Sequence, residues 1–275
     1  MSSASSVGLF CINLPKETGR RAFMTEQAEA AGLDLSFVEA IHGSELERPF
    51  DRYGYDEALA RVTKEIMPPN EVACFLSHRR ALERFLASDF AYGLILEDDV
   101  AIDVARLRTA LASLDWIDER LGHWDILRLQ GPRHSRRIGL YSRGPLTICC
   151  CIKYTSGALA LLYNRRSAAK VLARTERFWL PWDIQLGRNW ESGLDIFELT
   201  PFAVELTRLP TTIGHAGKPR WPRPTLGAKL AHIRWQVGGE LARRAMFLGQ
   251  CLHPLRRRLA RPGTASSTAR TGSPG

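Results

Sequence analysis

Apolar positions in this chain fall into two patterns, short runs of strand length and longer stretches at helical spacing. Val7–Leu14 is apolar and ends at Pro15, which predicts a first strand. Residues 17–31 are polar and Ala-rich up to Gly32, the signature of a helix stopped by glycine. Leu35–Ile41 predicts a second strand, and residues 42–70, rich in Gly, Pro and charge, an irregular excursion at the domain rim. From Asn70 the set Val72, Phe75, Leu76, Leu82, Phe85 and Leu86 recurs at helical spacing. Tyr92–Leu96 is a short buried-strand pattern that runs directly into Glu97-Asp98-Asp99. Beyond it, residues 104–114 and 167–175 predict helices, and 124–129, 146–152, 158–163 and 195–199 predict strands, with a loop or short helix at Pro181-Trp182-Asp183. Strands alternating with helices predict an α/β fold with a mixed, mostly parallel sheet covered on both faces.

Charge divides the chain. Residues 216–261 hold eleven Lys or Arg against the single acid Glu240, so the net +9 comes from this segment and residues 1–215 are close to neutral. The expected organisation is a domain over 1–215, a basic amphipathic helical extension over 216–261 and a Ser/Thr/Gly/Pro-rich disordered tail over 262–275. Basic residues gathered in one terminal segment argue against a nucleic-acid groove through the main fold. Arg234, Trp235, Val237, Leu241, Phe247, Leu248 and Leu252 alternate with Arg243 and Arg244, which predicts either a helix lying on an anionic membrane or a packed terminal helix with a solvated basic face.

Val7–Leu14 is too short to span a bilayer and has no basic flank or cleavage site, so it does not read as a signal peptide. The six cysteines include three consecutive ones and no CxxC pair, which predicts buried reduced thiols in a cytoplasmic protein rather than structural zinc.

The sharpest local chemistry is Glu97-Asp98-Asp99 after a buried strand. Adjacent carboxylates repel and need an offsetting cation or full solvation. Oxygen ligands at the carboxyl end of a strand suit Mn²⁺ or Mg²⁺ with a diphosphate completing the shell. A solvated acidic turn is the plainer alternative. The chain has no GxxxxGK[ST] loop and no GxGxxG after a strand, so a P-loop or dinucleotide cradle is not expected.

The chain also resembles glycosyltransferase family 25, the lipooligosaccharide galactosyltransferase-like proteins related to the collagen galactosyltransferases. The resemblance rests on Phe10-Cys-Ile-Asn-Leu-Pro15, Gly19-Arg20-Arg21, Phe37–Gly43, Asn70–His78, Ala91–Val100, Trp124–Leu129, Gly157–Tyr163 and Pro181-Trp182-Asp183, in that order. It implies a GT-A-like, Rossmann-related fold, a UDP-sugar donor and inversion at the anomeric carbon. It makes Asp99 the direct metal ligand, and gives Glu97 or Asp98 a ribose or metal-bound water. His215, in Ile213-Gly-His-Ala-Gly217, is a candidate late metal ligand.

An inverting displacement needs a base for the acceptor hydroxyl. Asp183, Glu191 and Asp195 are candidates, with Asp183 preferred for its place in Pro-Trp-Asp among Trp179, Trp182 and Trp190, whose rings could platform a sugar. For donor contacts the resemblance points to Ser77 and His78, although a lone His more often packs inside its helix. Arg20 and Arg21 could reach phosphate or uracil, and Asn13 ends the first strand at the triplet's edge of the sheet. The expected partners are a UDP-sugar, a glycan or glycolipid acceptor of the lipopolysaccharide type and an anionic membrane surface, with no nucleic acid. A basic nucleic-acid-binding protein and an inactive carbohydrate-binding relative are the competing readings.

Overall fold

Strand β1 (Val7–Asn13) opens the chain, followed by α1 (Thr18–Ala31) and β2 (Leu35–Glu39). The excursion after β2 contains two 3-10 turns and the short α2 (Glu57–Thr63), then α3 (Pro69–Leu86) leads to β3 (Tyr92–Glu97). The middle of the chain forms β4 (Val100–Ile102), α4 (Val104–Leu111), α5 (Leu114–Leu121), β5 (Ile126–Arg128), β6 (Arg137–Arg143) and β7 (Leu146–Cys151). Then come β8 (Ala160–Asn164), α6 (Arg165–Arg174), α7 (Trp182–Gly187), α8 (Asn189–Ser192), β9 (Ile196–Thr200) and β10 (Val204–Leu206). The helices α9 (Leu226–Cys251) and α10 (His253–Leu259) close the described chain. The computed structural model describes residues 7–63, 66–131, 136–152, 157–207 and 226–259. His215 and the tail over 262–275 lie outside them.

Eight strands form one sheet in the order β2-β1-β3-β8-β5-β9-β7-β6. β8 pairs antiparallel with both β3 and β5, and β7 with both β9 and β6, so six of the eight strands run one way. The expected mixed, mostly parallel α/β sheet is therefore present. The period-2 alternation of strand side chains divides the core. Leu9, Cys11, Leu94, Leu96, Leu127 and Leu162 enter one buried cluster beneath α1, α4 and α5. Phe10, Ile95, Ile126, Leu161 and Tyr163 enter the other, beneath α3, α6 and α7.

Several elements escape the periodicity. β6 is polar and mostly exposed at the sheet edge, so it carries no apolar run to announce it. β4 and β10 have three residues each and pair antiparallel outside the main sheet. Residues 104–114 do not form one helix, because Ser113 separates α4 from α5. α6 starts earlier than its apolar spacing suggests, since Asn164 caps it by accepting from Ser167 N at 2.8 Å.

The basic extension is not a detached arm. Phe247 and Cys251 of α9 pack against the α1-side cluster. Gln250 Nε2 donates to Ile196 O at 3.2 Å, His232 Nδ1 lies 3.0 Å from Val62 O, and His253 Nε2 lies 3.0 Å from Leu121 O.

Gly93 shows how tightly α3 sits on β3, for a Cβ there would lie 2.5 Å from the Phe85 ring. Overpacking of this kind costs about 1–3 kcal/mol. Gly93→Ala should therefore lower stability by that amount in urea unfolding. An unchanged midpoint would mean that Phe85 can swing aside.

Candidate active site

The inner residues of β3 are buried on both faces, so the strand holds its charge until it leaves the sheet. Glu97 is the last residue of β3, its N–H donating to Leu159 O at 3.2 Å, and Asp98 and Asp99 form the turn into β4. That turn is fixed from behind. Thr207 donates to Asp99 O from both its N–H, at 2.9 Å, and its hydroxyl, at 2.8 Å. Gln27 of α1 clamps β4 by donating to Val100 O and accepting from Ile102 N.

Two residues expected from the sequence converge on Asp98. Asn13, at the end of the adjacent β1, donates to Asp98 Oδ2 at 2.7 Å, and Arg20, in the first turn of α1, donates to Asp98 Oδ1 at 2.7 Å. Arg20 also lies 3.8 Å from Asp99 Oδ2. Asp98 is thus held by protein donors, whereas Asp99 Oδ1 is buried with no hydrogen-bond partner. Burial, and then Glu97, raise the Asp99 carboxyl above the usual carboxylate range, while Arg20 pulls it down. The same negative field, added to burial, raises the Cys11 thiol.

The triplet borders an open cleft with room for about 120 Å³ of water, smaller than the ~300–1,000 Å³ of typical small-molecule pockets. Ile41, His42 and Asn70 form its opposite wall, and Ser77 and His78 of α3 also line it. Gly43 is needed there, because a Cβ would lie 2.2 Å from Asn70 Oδ1. His78 Nε2 lies 3.5 Å from Glu97 Oε1, and its buried Nδ1 has no hydrogen-bond partner. Ser77 has a structural task as well, since its hydroxyl accepts from Ile41 N and donates to Ala73 O.

Other expected residues lie elsewhere. Arg21 does not line the cleft, and its guanidinium lies over the Phe37 ring, 4.2 Å from the centroid. Trp182 is buried and stacks on His78 at 5.2 Å, so it is a core ring and not an open sugar platform. Glu191 is paired through both oxygens with Arg188. Asp195 precedes β9, at the sheet edge opposite the triplet.

Asp183 is on the triplet's side. One oxygen accepts from Gly157 N at 2.6 Å and the other from Ile184 N at 2.8 Å. Gly157 has φ 109°, a conformation that favours glycine, and stands two residues before Leu159, the partner of Glu97. Its carbonyl accepts from Arg128 and from Gln130. Asp183 lines two other cavities and not the triplet cleft itself. Cys74, on the wall of the triplet cleft, has its thiol pushed up by burial and then by Glu97 and Asp183.

Sequence reasoning missed Arg128, Gln130 and Glu198. Arg128 and Glu198 are register partners on β5 and β9, both buried. A charged residue inside an otherwise apolar strand was the available signal. It also missed a second cluster, in which His123, Asp125 and Asp195 place ligand atoms within 4.8 Å of one another. These lie at the amino-terminal ends of β5 and β9, so a cation there would stand across the sheet from the cleft.

The residues that build the cleft belong to one contiguous stretch, and comparison with known proteins says what that stretch is similar to. Residues 7–128 match glycosyltransferase family 25. The matching family model is described as glycosyltransferase family 25 (LPS biosynthesis protein). A glycosyltransferase 25 family member of Anopheles gambiae is 30% identical over 126 residues, 43% of this chain and 21% of its own length. Its namesake in Aedes aegypti is 28% identical over 131 residues, 43% of this chain and 20% of that protein. The chain spans about a fifth of the length of these curated relatives. Asn13, Arg20, Ser77, His78 and the carboxylate triplet fall inside the family-25 match, and Asp183 lies beyond it.

Asp99 supplies a test. Its carboxyl keeps a proton to higher pH in the folded chain than in the unfolded one, so stability falls as pH rises from the unfolded carboxylate value through the folded one. Asp99→Asn removes that loss. Without metal, the variant should melt higher than the parent near neutral pH and no higher below about pH 4. Thermal unfolding across pH checks this, and a lower melting point at neutral pH would contradict it.

Proposed function

We propose that the protein is a metal-dependent, inverting glycosyltransferase that moves a hexose from a UDP-sugar to a glycan or glycolipid acceptor. The observation that carries this reading is the carboxylate triplet at the end of β3, open to a cleft and built wholly from residues that match family 25. The orphaned Asp99 oxygen suits a hard cation. Asp99 and Glu97 would be the protein ligands, and Mn²⁺ or Mg²⁺ would stabilise the charge that grows on the departing diphosphate. Asn13 and Arg20 hold Asp98 and so fix the turn that aims both ligands. His78, edged by Glu97, offers a ring nitrogen to the donor.

Asp183 acts on the acceptor. The acceptor oxygen bonds to the anomeric carbon as the bond from that carbon to the diphosphate oxygen breaks, and the hydroxyl proton passes to an Asp183 oxygen. Each of its oxygens accepts one backbone N–H and keeps a second lone pair. Glu191 and Asp195 drop out as bases, the first through its pairing with Arg188 and the second through its place on the opposite edge. Galactose is the preferred sugar and a lipopolysaccharide-type glycan the preferred acceptor, following the family resemblance. The proposed location is cytoplasmic, where UDP-sugars are made.

Hydrolysis of a panel of UDP- and GDP-sugars with and without Mn²⁺ tests the donor half. A UDP-hexose should be cleaved with metal and not in chelator, and Asp99→Asn should abolish the activity. Full turnover by metal-stripped protein in chelator would overturn metal dependence. With an acceptor in hand, Asp183→Asn should lower kcat by about a hundredfold or more and leave donor affinity unchanged. Lost donor affinity would move Asp183 to the nucleotide side.

A further inference from the structure

Helix α9 has two unlike faces. One is seated on the body through Phe247, Cys251, Gln250 and Arg243, the last donating to Ile152 O. The opposite face carries Leu230, Ile233, Val237, Leu241, Leu248 and Leu252, three, four or seven residues apart and all exposed. Leu241 is 65% exposed and Leu248 60%, so the body does not cover this row. Leu255 and Leu259 extend it along α10. A helix of 26 residues is ~39 Å long, which makes this an extended apolar strip of the kind that marks an interaction surface.

Charge selects the occupant. Lys229, Arg234, Arg244 and Arg256 are exposed on the same two helices, while Glu240 is already paired with Arg243 and Arg244. Pairing with a second copy would bring these cations face to face, a like-charge arrangement that disfavours association. An anionic bilayer satisfies both features, because acyl chains take the leucine row and headgroups take the cations. No helix among the described residues is long and apolar enough to cross a membrane, so the contact is one of lying on the surface. We propose that the outward face of α9 and α10 seats the protein on an anionic lipid bilayer. The rim of the outward row, Val237 and Leu241, also helps to line the cavity that includes Asp183, along with Trp190 and Trp235. Docking would thus bring the proposed acceptor side to the surface where lipid-linked acceptors reside.

The docking face uses no residue of the triplet cleft, so vesicle binding and donor hydrolysis fail independently. Co-sedimentation of the full chain with phosphatidylcholine vesicles, with and without phosphatidylglycerol, tests it. The parent should bind the anionic vesicles at 0.1 M salt at least tenfold better than the neutral ones. Binding should weaken at 1 M salt, where the Debye length shrinks from about 10 Å to about 3 Å. The double variant Leu241→Gln, Leu248→Gln should bind at least tenfold less with an unchanged melting point, since both side chains are exposed. Arg234→Gln should cost about fivefold on anionic vesicles only. A parent that stays free of anionic vesicles at low salt, or a double variant that binds like the parent, overturns the proposal. So does a lipid-free dimer abolished by the double variant, which would put a second copy on this face.

Discussion

Three adjacent carboxylates must be placed at the end of a strand whose own interior is sealed from water. Burying any of them along β3 would cost far more than a hydrogen bond returns, so all three gather where the strand leaves the sheet. Their repulsion is then only partly relieved. Asn13 and Arg20 satisfy Asp98, His78 borders Glu97, and an Asp99 oxygen is buried without a donor. The surrounding architecture follows from holding this turn still. β1 must lie beside β3 to present Asn13, α1 must begin at Thr18 to present Arg20, and Gln27 and Thr207 must clamp the chain on leaving the triplet.

The second acidic cluster gives the contrast that makes the first informative. Asp125 is fully buried, yet Lys170 Nζ donates to it at 2.5 Å and Asp195 N at 2.9 Å. His123 Nε2 lies 3.6 Å from both Asp125 and Asp195, and Arg166 meets its Nδ1. This His-Asp-Asp group offers metal-ligating atoms, and like Asp99 its Asp125 keeps one buried oxygen without a hydrogen-bond partner, but Lys170 brings a full positive charge to its two carboxylates. At the triplet the protein supplies less than the carboxylates require. That shortfall, rather than the count of acids, distinguishes a place for a cation from a structural ion cluster.

Most of the sheet was legible because its strands are apolar runs bounded by Pro, Gly or acids, and the triplet was legible because three acids after such a run are chemically conspicuous. What stayed hidden depends on direction and pairing. Asp195 precedes β9 and Asp98 follows β3, and only the parallel sense of those strands, relayed through the antiparallel β8, puts them on opposite edges. Arg20 and Arg21 are neighbours in sequence, yet a step of about 100° around a helix sends one to Asp98 and the other over Phe37. Trp182 has the look of a sugar platform beside Asp183, but the packing of α7 beneath α3 makes it a partner for Phe75 and His78 instead.

The position of α9 joins the acceptor side to the rest of the molecule. Arg188, on the short segment between α7 and α8, lies over the ring of Trp190 at 4.8 Å and of Trp235 of α9 at 3.9 Å. Asp183 sits one turn earlier on α7, itself tied to Gly157, and through Gly157 to Arg128 and Gln130 at the end of β5. The guanidinium of Arg188 therefore joins the basic helix to α8 at one wall of the cavity that Asp183 also lines. Glu191 completes this arrangement by pairing with Arg188, which orients the guanidinium against the rings. The basic helix, which the sequence left as either a membrane-lying or a packed terminal helix, thus packs on the segment that follows α7.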